Sequence, residues 1–179
     1  MTEDIFDIVD ENDKPIGSLP RSEVHSKGLN HRASHILVFN PDYTKILLQK
    51  RSATKDSYPN IYTTSCSGHV DSGETYDIAA VREMKEETGV SIELSSLRKI
   101  GKIDACIQTG KEFTFVYELK LPEDTQFNFP QDEVDALEWV RVEDFERMIF
   151  KNPKDFTPTF LYVYEYYRVR KFGGNPQNI

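Results

Sequence analysis

Residues 68–90 read GHVDSGETYDIAAVREMKEETGV. Gly73-Glu74-Thr75 leads into a helix-compatible run. Thr75 is suited to accept a hydrogen bond from the first turn, and Asp77 suits the positive end of the helix dipole. Gly89 can adopt the left-handed conformation that stops a helix. The stretch therefore predicts a loop followed by a helix that ends at Gly89. At about 100° per residue, Ile78, Val81, Met84 and Thr88 share one side. Glu83, Glu86 and Glu87 cluster opposite them, together with the small Ala79 and Ala80, which leave room above the carboxylates.

Like charges three and four residues apart repel, each pair by a few tenths of a kcal/mol. Three on one face need compensation. A solvated acidic face offset by Arg82 and Lys85 is one solution. A hard divalent cation held by carboxylate oxygens is the other. The spacing selects the second. Gly68, five residues, Glu74, seven residues, Arg82-Glu83, Met84, one residue, Glu86-Glu87, one residue, Gly89 and Val90 make a pattern of seven fixed identities. By chance it would arise at a given start less than about once in 10⁷.

The rest of the chain sets bounds. It has 179 residues, 38% hydrophobic and 29% charged, with a net charge of −8. That suits one domain with a sizeable core. The acidic balance argues against a nucleic-acid polymer as partner and for a small anionic substrate held by a metal and local cations. Two cysteines, Cys66 and Cys106, make no disulfide framework and read as small core residues. No apolar run is long enough to span a bilayer, and the acidic first residues lack a secretory core, so a cytoplasmic location is expected.

Ile5–Val9 alternates, and Glu11–Lys14 turns into Pro15-Ile16-Gly17, which predicts an N-terminal hairpin. Its pairing, with the sheet or with another chain in a homodimer, stays open. A short helix over Arg21–Lys27 ends at Gly28, so residues 1–30 form an extension. Strands are predicted at Ser34–Phe39, Lys45–Lys50, Ile61–Ser65, Leu97–Ala105, Phe113–Leu119 and Glu138–Val142. Two helices fill 143–171, the second with a core stripe of Phe160, Val163, Tyr164 and Tyr167. The alternation of strands and helices predicts a layered α/β fold.

The pattern over 68–90 is that of the Nudix box, and the chain resembles a Nudix hydrolase. The resemblance implies a single Nudix domain over 1–179, an α/β/α sandwich with a mixed sheet. It implies Mg²⁺-dependent (or Mn²⁺-dependent) cleavage of a diphosphate bond. The substrate would be a nucleoside diphosphate linked to another moiety or a related organic diphosphate. Carried over from the motif, Glu83, Glu86 and Glu87 with the Gly68 carbonyl would hold metal. Glu74 and Arg82 would orient them. The catalytic carboxylates would be Glu83, Glu86, Glu112 and Glu133.

Outside the box the chain is similar to the branch that includes type I isopentenyl diphosphate isomerase. The similarity runs through His31-Arg32-Ala33, Leu47–Arg51 and Tyr62–His69. Arg51 and Lys55 match positions that contact the substrate diphosphate in that branch, and Glu112 matches a functional carboxylate. His25, His31 and His69 match its metal-ligating histidines, His25 only after a one-residue gap. As residues alone, His25, His31 and His35 read as structural hydrogen-bonding groups, and His69 as a box-loop residue within reach of the site. Two departures count against isomerase chemistry. Ser67 stands where that enzyme has its essential cysteine, and Cys66, one position earlier in an extended segment, points to the opposite face. Gly110 stands where a second carboxylate is expected. Hydrolysis is therefore the expectation, with an isomerase-like enzyme and a noncatalytic nucleotide-binding module as alternatives. Tyr43, Tyr58, Tyr62 and Phe127 are the candidate walls for a base, and Phe127–Pro130 is a lid or an apolar tether.

Overall fold

The computed structural model describes residues 3–173. The ends of the 1–179 span, residues 1–2 and 174–179, lie outside the described residues. Strands β1 (Ile5–Val9) and β2 (Pro15–Pro20) form a two-stranded antiparallel sheet, followed by helix α1 (Arg21–Ser26). The main sheet contains β3 (His31–Phe39), β4 (Lys45–Arg51), β5 (Tyr62–Thr63), β6 (Cys66–His69), β7 (Arg98–Ile103), β8 (Glu112–Lys120) and β9 (Val134–Arg141). Helix α2 (Tyr76–Thr88) covers one face; α3 (Val142–Lys151) and α4 (Pro158–Phe172) cover the other.

The sheet is mixed. β3 runs parallel to β8 over its whole length, from His31↔Glu112 to Phe39↔Lys120. On its other side it pairs antiparallel with β6, from Ala33↔His69 to Ile36↔Cys66. β3 and β4 are joined by the Asn40–Asp42 turn yet pair only at Phe39↔Ile46. Beyond that point they diverge, and β4 pairs instead with β9 and β5. The divergence admits β6 and the loop that precedes α2, and so sets the floor of the site.

Alternation along β3 divides the core. Ile36 and Val38 face α2 with Leu47, Ala80, Met84 and Tyr117. Leu37 and Phe39 face α4 with Ile46, Leu48, Phe145, Phe160, Tyr164 and Tyr167. Each fully buried large apolar side chain contributes about 1.5–3 kcal/mol. The stripe expected on the last helix is all buried.

α2 has the expected ends. Thr75 Oγ1 accepts from the Ile78 N–H at 3.3 Å, and Gly89 is left-handed with φ 75°. A Cβ on Gly89 would also lie 2.4 Å from the Asn128 carbonyl oxygen, so the box helix can close against the 127–130 segment only with glycine there. Phe127 packs on the α2-side core, which makes this segment a tether. The expected faces of α2 need correction. Ala79 and Ala80 are fully buried, while Ile78 is 55% exposed. The alanines let the helix approach the sheet closely; they leave no headroom above the carboxylates.

At the far end of the sheet, Glu118 is buried among the Tyr43 and Tyr167 hydroxyls, each 2.6 Å away, and the Lys171 ammonium at 2.5 Å. Burial raises its pKa, but Lys171 and the two tyrosines outweigh that and hold it below the ordinary 4.5. A depressed carboxylate pKa stabilises the fold above the unfolded pKa and loses that contribution as pH falls through the folded one. Thermal melts are therefore expected to lose stability below about pH 4.5 in the wild type, and Glu118→Gln is expected to flatten that acid limb. An unchanged limb in the variant would remove Glu118 from the account.

Candidate active site

One polar cavity of about 860 Å³ opens at the ends of β3, β6 and β8. Gly68, Glu83, Glu86, Glu87, Arg82, Arg51, Lys55, Glu112 and Glu133 all line it. The sequence-predicted residues therefore converge, except Glu74, which lies behind Arg82. The Arg82 guanidinium donates to Glu74 Oε1 and Oε2 at 3.0 and 2.9 Å, and to Glu83 at 2.7 Å. It also reaches Glu86 at 3.0 Å and the His69 carbonyl at 2.9 Å. A planar five-donor fork is the side chain that can serve all of these at once.

Glu83 lies directly beneath Gly68. A Cβ on Gly68 would fall 1.9 Å from the Glu83 carboxyl carbon, so only glycine leaves this carboxylate its place. Burial first, and then the Glu87 charge, push Glu83 up to about 8 against the pull of Arg82. Glu87 is 8% exposed. Burial also raises its pKa, opposed by the Ser67 N–H and the Gln49 amide, both 3.0 Å from the same oxygen, Oε2. Glu86 is the exposed member of the three. Three carboxylates drawn together against their own repulsion, beside a glycine cradle, fit a hard divalent cation.

A second donor set adjoins the first. The ring nitrogens of His25, His31 and His69 lie within 4.8 Å of one another. Glu112 Oε1 is 3.1 Å from His69 Nε2 and 3.6 Å from His31 Nε2. Burial raises the Glu112 pKa, but the adjacent His31 and His69 imidazoles outweigh that and hold it well below the usual carboxylate range. His25 is lowered to about 4 by burial and then by the other two imidazoles. His31 Nδ1 lies 2.9 Å from the Leu29 carbonyl, a structural bond, yet its buried Nε2 has no hydrogen-bond partner. Such a set suits an imidazole-preferring cation. His35 is separate: buried, 3.0 Å from Thr64 Oγ1, and lowered to about 4 by burial.

The N-terminal hairpin belongs to this site. Phe6 stacks on His69 with centroids 4.5 Å apart and lies parallel to His31 at 5.9 Å. Asp7 accepts from Ser72 at 2.6 Å and from the Gly73 N–H, which ties β1 to the box loop. The hairpin docks there through the Phe6↔Asp71 bridge and does not extend the main sheet.

On the opposite wall, Arg51 donates to the Ser57 and Tyr58 carbonyls at 2.9–3.2 Å, pinning the 52–60 loop. Lys55 pairs with Glu133 at 3.2 Å. Tyr58 lines the cavity; Tyr43 packs against Lys171, Tyr62 against Phe156, and Phe127 in the core. Cys66 is fully buried on the α2 side, and burial pushes its thiol up, while Ser67 lines the cavity. Gly110 has φ 69° in the turn before β8.

Sequence reasoning missed four contributors. Arg21 lines the cavity and makes no ion pair among the described residues. Thr157–Thr159 bring the N-terminus of α4 to its rim. Phe6 gave no signal beyond a strand. Gln49 did: it is a buried polar residue directly after the apolar Ile46-Leu47-Leu48 run of β4, at the α2-facing position that follows Leu47.

A family model described as NUDIX domain matches residues 29–160. The chain is 35% identical to prenyl-diphosphate phosphatase of Methanosarcina mazei over 84% of this chain and 86% of that one. It is 33% identical to isopentenyl-diphosphate Delta-isomerase 2 of Photorhabdus laumondii, covering 88% and 89%. Nudix hydrolase 3 of Arabidopsis thaliana is also 33% identical over 88% of this chain, which spans only 22% of that longer protein. Among solved structures, DR0079 from Deinococcus radiodurans superposes with a TM-score of 0.70 at 28% identity, over 82% of this chain and 89% of that one. With its box at the centre of the matched segment and its layers matching those neighbours, this chain belongs to the NUDIX domain family.

Proposed function

We propose that this chain hydrolyses the P–O–P bond of an organic diphosphate, using a divalent cation, Mg²⁺ or Mn²⁺. The observation that carries this reading is the convergence of Glu83, Glu86 and Glu87 with Gly68 on the floor of one polar cavity. These residues would hold the cation, which when bound would neutralise diphosphate charge and act as a Lewis acid. Arg82 bridges Glu74, Glu83 and Glu86 and so fixes their orientation against their mutual repulsion. Glu83, Glu86, Glu112 and Glu133 are the candidates to accept the proton of the attacking water, each now engaged by a cationic or imidazole neighbour. Arg51 and Lys55 would contact the phosphates by exchanging their present partners, the loop carbonyls and Glu133. Arg21 adds a cation on the hairpin side. An organic diphosphate is favoured over a nucleotide because Tyr58 alone of the four candidate base walls lines the cavity. The name of the Methanosarcina relative, prenyl-diphosphate phosphatase, points the same way.

An isomerase is the second reading, favoured by the histidine cluster with Glu112. The buried Cys66 and the inward Ser67 oppose it, since a serine hydroxyl is a far weaker acid than a thiol. A noncatalytic module is opposed by the intact carboxylates. Incubation with isopentenyl diphosphate and Mg²⁺, followed by phosphorus NMR, separates the three. Orthophosphate with the monophosphate is expected. Dimethylallyl diphosphate without phosphate release would make the protein an isomerase, and binding without any product across a panel of diphosphates would make it a module.

A further inference from the structure

β4 alternates between the two cores. Ile46 and Leu48 face α4, Leu47 faces α2, and Gln49 occupies the next α2-facing position. Gln49 is 2% exposed, and a buried amide is unfavourable unless it is hydrogen-bonded. Its side chain donates to one group, Glu87 Oε2, at 3.0 Å. The Ser67 N–H donates to the same oxygen at the same distance. Both donors therefore hold one carboxylate oxygen, and Glu87 Oε1 receives no hydrogen bond from either. Glu87 lines the cavity.

We infer that Gln49 is a positioning residue. It fixes the Glu87 carboxylate so that Oε1 is presented to a divalent cation, and it does so from the sheet, independently of the Arg82 network on the helix. The inference rests on the proposed metal role of Glu87. Two donors converging on one oxygen restrain the carboxylate more than the Ser67 N–H alone would. Such supporting bonds, when removed, weaken metal affinity by about 10–100-fold.

The test uses the full chain with Mn²⁺ as the probe, read by electron paramagnetic resonance. Gln49→Leu is expected to fold, since it keeps a similar volume beside Leu47 and leaves the Ser67 N–H on Glu87. Its Mn²⁺ dissociation constant is expected to rise at least tenfold. The metal concentration for half-maximal hydrolysis should rise with it, while kcat recovers at saturating metal. In a Glu87→Gln background the same change is expected to add nothing to the loss of metal affinity, because the ligand oxygen that Gln49 positions is already gone. Should Gln49→Leu fold poorly, Gln49→Met removes the donor with a more adaptable side chain. Wild-type Mn²⁺ affinity in a folded Gln49 variant, together with a loss of affinity in Glu87→Gln, would overturn the role of Gln49 and leave the metal site standing. Wild-type affinity in Glu87→Gln as well would overturn the metal reading itself.

Discussion

Glu87→Gln is expected to lower turnover at least a hundredfold, about 2.7 kcal/mol of transition-state stabilisation, in a protein that stays folded. The substitution is isosteric. Its amide oxygen can still accept from the Gln49 amide and the Ser67 N–H, which now meet on Oε2. The remaining group then becomes an NH₂, a donor facing the cavity where an acceptor is needed. A hard cation prefers charged oxygen ligands and gains nothing from a neutral nitrogen donor. The loss of one buried like charge also relieves Glu83, which burial and Glu87 push up to about 8. Stability is therefore expected to hold or rise while activity collapses. Steady-state kinetics beside a circular-dichroism melt read both quantities. A folded variant with wild-type turnover would remove Glu87 from the reaction.

Arg82→Lys is expected to cost about 2 kcal/mol of stability, since it keeps the charge but leaves acceptors of the network without donors. Arg82 is a quarter exposed, so water compensates only part of that loss. It joins Glu74, Glu83, Glu86 and the His69 carbonyl with five hydrogen bonds between 2.7 and 3.0 Å. An ammonium has three donors on one point and cannot bridge the loop and the helix together. The released carboxylates repel one another, so activity is expected to fall as well. Chemical denaturation checks the stability change, and a midpoint equal to wild type would mean that the network is dispensable.

The box was the most legible part of the chain because its residues make local contacts. Thr75 and Gly89 end the helix within their own neighbourhood, and Glu74, expected from the motif to fix the loop through Arg82 or a backbone amide, makes both contacts. The burial of α2 was less legible. Its apolar periodicity pointed to Ile78, but Ala79 and Ala80 face the sheet, and only the sheet's position decides that. The extended conformation at Cys66-Ser67 was legible in the sequence, but the pairing of Cys66–His69 with β3 was not, because it depends on the divergence of β3 and β4. The histidine cluster depends on contacts across the chain. His25 comes from α1, His31 from β3 and His69 from β6, with Phe6 from β1 packed over them. The facing of Ser67 and Cys66 was legible from a single rule, the alternation of side chains in extended backbone. The partners of Arg51 and Lys55 were not, because they depend on how the 52–60 loop folds back, with Tyr58 and Asn60 at positive φ.

The central claim is that this chain hydrolyses an organic diphosphate with a divalent cation that the carboxylates of α2 would hold. Its most direct test is orthophosphate release from a panel of organic diphosphates by chelator-stripped protein titrated with Mg²⁺, with Glu83→Gln as the control. The account predicts no release without the cation, saturable release with it, and loss of that release in a folded Glu83→Gln variant. Release that persists in stripped protein, or that survives the substitution unchanged, would contradict it.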